Sequence, residues 1–129
     1  MTKVEIQALV GPALSGAVVE QVMGWRKADR AEIDGNTIVE LAWVDERTNG
    51  VVKITPQSMT PDVTSDQWAS KLVKEMGKAR NMRLTTDFAT GEYACLFAPK
   101  AQAPTIAAMI GDADFGTAIA RAALLAVQP

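Results

Sequence analysis

The 129-residue chain contains no histidine and only one cysteine, Cys95. Without histidine it lacks the commonest general base, the commonest transition-metal ligand and the usual Ser-His or Cys-His nucleophilic pairs. A lone cysteine can form neither an intramolecular disulfide nor the thiolate set of a zinc or iron–sulfur site, which fits a reducing compartment. The phosphate-cradling patterns GxxxxGK[ST] and GxGxxG are missing as well. The expectation is therefore no catalytic residues, no metal, no cofactor and no enzymatic activity. Strong charge of one sign is also lacking. A net charge of -2 and a pI near 5.1 provide no global attraction to phosphate backbones or anionic lipid, so nucleic acid and membrane surfaces are disfavoured partners. No long apolar run is present: Ala118 to Val127 is interrupted by Arg121 and is too short to span a bilayer. The start, MTKVEIQALVGPAL, carries Glu5 and Gln7 and does not read as a signal peptide. These features point to the cytoplasm.

With 48% hydrophobic and 22% charged residues, the composition is that of a globular protein, and the length suits one domain over residues 1–129. Aromatics make up only 5%. The core is thus expected to use Ala, Val, Leu, Ile and Met around Trp25, Trp43 and Trp68.

Residues 13–25, ALSGAVVEQVMGW, place Leu14, Ala17, Val18, Val22 and Trp25 at spacings of three and four, predicting a helix. Gly24 and the polar run 26–30 predict that this helix frays out near Trp25, and Asp34-Gly35 reads as a turn. In TIVELAWV, residues 37–44, alternation predicts a strand with Val39, Leu41 and Trp43 on one face and Glu40 on the solvent side. The turn Asn49-Gly50 joins it to a second strand, residues 51–55, in an antiparallel hairpin. After the proline-flanked connector 56–61, Thr64 and Gln67 form a capping-box signal for a helix over 65–76 that ends at Gly77. Its apolar face holds Trp68, Ala69, Leu72, Val73 and Met76. Two more strands, 82–88 and 92–98, follow with a hairpin at Thr90-Gly91. Beyond the connector 99–104, the chain closes with one helix or two separated at Gly111, a break being favoured, with Asp112 or Asp114 as cap and Phe115, Ala118, Ile119, Ala122, Leu125 and Ala126 facing inward. The sum is an α+β domain with a roughly four-stranded, mainly antiparallel sheet covered by three or four helices.

The carboxylates of Asp112 and Asp114 fit helix capping better than a metal site. Cys95, between Tyr93 and Phe97 on one strand face, reads as a small buried hydrophobe rather than a nucleophile. One local positive feature remains: Lys71, Lys74 and Lys78 at helical spacing, with Arg26, Lys27 and Arg30 as further candidates for meeting an anionic ligand or partner. A solvated helix face accounts for the same pattern.

Three segments, VVEQVMGW (18–25), PDVTSDQWASKLVKEM (61–76) and DFGTAIARAALLAV (114–127), together with YACLF (93–97), resemble the phage ABA sandwich domain, a family of small phage and prophage proteins. The resemblance implies phage origin and an α/β/α sandwich, and it brings no catalytic residue or cofactor. The hairpin at 37–55 and the segment PTIAAMIG are departures from that pattern that could carry a function specific to this chain. The function expected is a non-enzymatic binding module acting in the host cytoplasm on a host or phage protein or a small anionic ligand, with counter-defence as one role and homo-oligomerisation left open. The alternative is a structural or assembly accessory protein of the virion.

Overall fold

In a computed structural model, residues 1–33, 35–48, 51–89 and 91–129 are described. The class is α+β, with four α-helices and two three-stranded antiparallel sheets among the described residues. The single four-stranded sheet expected from the sequence is thereby corrected. The hairpins at 37–55 and 82–98 are present, but each recruits a third strand of its own instead of joining the other.

The first helix, α1 (Lys3–Ala8), was not expected. Thr2 and Glu5 close a reciprocal capping box at its start, and Ile6 is its one buried residue. Helix α2 (Gly11–Gln21) stops earlier than its apolar spacing suggests. Gly24, at φ +74°, turns the chain so that the Trp25 amide donates to Val19 at 2.9 Å, a glycine-terminated helix end. The polar run beyond the helix is strand β1 (Arg26–Ile33), paired with β2 (Thr37–Thr48), which pairs in turn with β3 (Val51–Pro56). Helix α3 (Asp66–Arg80) is capped by Ser65, whose Oγ accepts from the Trp68 amide, because the Thr64 hydroxyl is already donating to Asp62 at 2.6 Å. It runs past Gly77, and Asn81 at φ +54° ends it.

The second sheet comprises β4 (Met82–Ala89), β5 (Glu92–Pro99) and β6 (Ile110–Asp112) in that order. The segment read as a first closing helix is a 3-10 turn (Ile106–Ala108) leading into β6. The turn residues Asp34, Asn49, Gly50 and Thr90 lie outside the described residues.

Helix α4 (Phe115–Ala126) is the centre of the packing. It touches β5 and β6 on one side and α1, α2 and α3 on others. Its buried residues run without a break from Ala118 to Leu124, so the inward stripe expected from periodicity widens to the whole circumference, and Phe115 is outside it, 40% exposed. Alanines at 118, 120, 122 and 123 make this feasible, since small side chains let neighbouring elements approach closely. Gly116 takes this furthest: a Cβ there would stand 1.7 Å from the Thr64 carbonyl oxygen. Leu14, Val18, Leu72, Met76, Cys95, Phe97 and Ile119 belong to the same core.

The first sheet meets this body only around its middle. Its strands overlap as three at Ala42–Val44, against Arg26–Ala28 and Ile54–Pro56, and Ala42, Trp43 and Val44 are all buried. On one side of that block, β1 and β2 continue alone to Ile33 and Thr37; on the other, β2 and β3 continue alone. Leu41 marks the junction. Its φ of +49° is strained for a branched residue, and it is exposed, as is Ile38. The expected inward face of Val39, Leu41 and Trp43 is thus realised only at Trp43.

Candidate functional site

Lys71, Lys74 and Lys78 are exposed on α3, as their spacing requires. Lys71 folds back one turn, bringing Nζ to 4.7 Å from the Trp68 ring centroid, a cation–π contact. Trp68 is 8% exposed and receives Trp25 edge-on at 6.1 Å between centroids. Because Gly24 redirects the chain out of α2, Trp25 is carried to this place at the entrance to β1. Lys71, Trp68 and Trp25 line a cleft of about 400 Å³ between the first sheet and α3, together with Lys53, Asp45 and Met59. The volume lies within the range of small-molecule pockets.

The other candidate cations are elsewhere. Arg26 is engaged with Glu46 at 3.1 Å. Lys27 lies 5.5 Å from the Trp43 ring and lines a separate hollow with residues of α2. Lys74 and Lys78 do not line the Lys71 cleft. The cation that joins Lys71 is Lys53 on β3, which nothing in helical spacing could reveal. Only the pairing of β3 with β2 brings it round.

A larger cavity, about 630 Å³, opens between α2, the 57–64 segment and α4. At its wall is Arg121, 4% exposed. Its Nη1 donates to Asp112 at 2.6 Å and to the Gly111 carbonyl, and its Nη2 donates to the Leu9 carbonyl at 3.0 Å. Nε has no acceptor among the described residues. The guanidinium thereby ties the α1–α2 link and β6 to α4, and Asp112 neutralises it. Asp62 also lines this cavity, and hydrogen bonds from Thr64 hold its carboxyl below the usual aspartate range. Two carboxylates facing one paired arginine make this wall a poor receptor for anions.

Asp114, not Asp112, caps α4, with Oδ2 accepting from the Thr117 amide at 2.9 Å. Cys95 is buried, and burial raises its thiol pKa, opposite to what a nucleophilic cysteine needs. Among the described residues no group of three His, Cys, Asp or Glu side chains could hold a metal ion, and no helix is long and apolar enough to cross a membrane. No family profile matches the chain, and no curated protein or solved structure is detectably similar to it.

Proposed function

We propose that this chain is a non-enzymatic binding module of phage or prophage type that works by occupancy in the host cytoplasm, taking an anionic group of a small ligand or protein partner into the Trp25–Trp68–Lys71–Lys53 cleft. A role in blunting a host defence fits such a module. The observation that carries the reading is the cleft: two ammonium groups against the single carboxylate of Asp45, beside an indole pair, offer positive charge and apolar surface together, the composition that small-ligand sites use. The phage ABA sandwich kinship, with its α/β/α arrangement, is part of the proposal. It draws support from the three segments concerned, which supply the last turn of α2, most of α3 and all of α4, with α4 packed against the other two.

The indoles supply the assay. Tryptophan fluorescence should change saturably on titration with at least one of three probes: inorganic phosphate, a nucleoside monophosphate or a glutamate-rich peptide. The response should weaken with salt and vanish in a Lys71→Gln/Lys53→Gln variant whose circular dichroism is unaltered. A flat response to all three, or equal binding by the double variant, would refute the reading.

A second reading, a structural or assembly accessory protein of the virion, is favoured by the overhanging two-stranded ends of the first sheet, since projecting strands suit packing between subunits. Detection of the protein in purified particles at stoichiometric level would select it over the first.

A further inference from the structure

We propose that β1 is a self-association edge, pairing antiparallel about a two-fold axis with β1 of a second copy of this chain, with Ala31 on the axis. The inference is independent of the cleft. Among the described residues β1 is hydrogen-bonded to β2 alone and forms the outer edge of the first sheet. From Asp29 to Ile33 it belongs to the overhang, where an unpaired row of backbone amides and carbonyls is a template for another strand.

The sequence of the edge selects the occupant. A two-fold axis perpendicular to an antiparallel pair must pass between two copies of the same residue, so each register is defined by the residue on the axis. An axis at Asp29, Arg30 or Glu32 sets like charges directly opposite one another, and an axis at Ala28 sets Arg26 against Arg30. An axis at Ala31 sets Arg30 opposite Glu32 of the second copy, and Glu32 opposite its Arg30, with alanine meeting alanine between them. Opposite charges directly across a sheet are favourable and like charges unfavourable. Within each chain the neighbours agree: Arg30 lies opposite Glu40 and Glu32 opposite Ile38, so the joined face would run Glu40, Arg30, then Glu32 and Ile38 of the second copy. The shallow hollow lined by Arg30, Ala31, Glu32 and Ile38 lies on this seam.

Sedimentation velocity with a charge-swap series tests the proposal. Wild type should form dimers in the tens to hundreds of micromolar range. Glu32→Arg and Arg30→Glu should each weaken association by roughly tenfold or more, while their equimolar mixture, in which Arg faces Glu again at every pair, should restore dimers. In addition, Ala31→Cys should cross-link to a covalent dimer on mild oxidation and Ala28→Cys should not, the native Cys95 being buried. A wild type that stays monomeric with no Ala31→Cys cross-link would overturn the proposal. So would dimers indifferent to both charge reversals. Because Lys53 and Lys71 are untouched throughout, these outcomes leave the fluorescence test of the cleft unaffected.

Discussion

The two sheets have the same number of strands and the same antiparallel sense, yet they are built for different ends. In the second, β5 carries Cys95 and Phe97 into the core against α4, so the sheet's stability is that of the body. In the first, three consecutive residues of β2, Ala42, Trp43 and Val44, are buried, while most of the rest stands away in two-stranded extensions. The β1–β2 extension, five residues a strand, reaches about 17 Å at the usual strand rise. Such a ribbon buries too little to be held by apolar packing and instead depends on its ladder, its cross-strand pairs and whatever binds it. Sheet content alone says little about where a small protein keeps its stability. What matters is which strands α4 covers.

Cutting an apolar side chain in each region sharpens the contrast most. Leu124→Ala, at a fully buried position of α4, should cost about 2–5 kcal/mol, read from the urea midpoint. Leu41→Gly should lie within about 1 kcal/mol of wild type, because relief of the positive-φ strain offsets the added chain entropy. A large loss at Leu41 would instead make the overhang part of the core.

Gly116→Ala comes next. The Thr64 carbonyl stands where the methyl would go, and overpacking of this kind costs about 1–3 kcal/mol or more. The same change at Gly35, where a Cβ meets nothing within 4 Å, strains only φ and should cost about 1–2 kcal/mol. Thermal denaturation of the pair ranks them.

Thiol chemistry offers a smaller, local measure. Burial raises the Cys95 pKa, so the native thiol should react with a maleimide or a disulfide reagent only on opening, orders of magnitude slower than in denaturant. Rapid native labelling would show that β5 is not sealed by α4.

The smallest effect is electrostatic. Asp62, its pKa lowered by hydrogen bonds from Thr64, contributes stability that is present above its unfolded pKa and lost as pH falls through its depressed folded value. The group is exposed, so Asp62→Ala should cost under about 1 kcal/mol at pH 7, and the difference from wild type should close in acid. A gap that persists at pH 2 would assign the effect to something other than ionisation.

What could be read in the sequence followed from local signals with one physical cause. The amphipathic period of α3 and the carboxylate before α4 were legible, as was the β4–β5 hairpin. Trp68 heads α3's apolar face, and it is buried. β1 was not legible because RKADRAEI has charges on both faces, and a strand in an uncovered ribbon needs no apolar side. α1 was legible in principle: Thr2 and Glu5 spell the capping box. The cleft was half visible, through Lys71 and Trp68, while Lys53 and Trp25 arrive by strand pairing and a glycine turn. The burial of Arg121 left no trace, since an arginine among alanines reads as the polar side of a helix until the partners Leu9, Gly111 and Asp112 are in place.

Native-state hydrogen exchange at low micromolar concentration bears most directly on the contrast between the sheets. Amides of Asp29–Ile33 and Thr37–Leu41 should exchange through local openings cheaper by a few kcal/mol than those that release Cys95–Phe97 and Ala118–Leu124, which should approach the global unfolding free energy. Equal, global protection in both sheets would contradict the account, for the overhang would then be part of the folding core rather than an edge held out for contact.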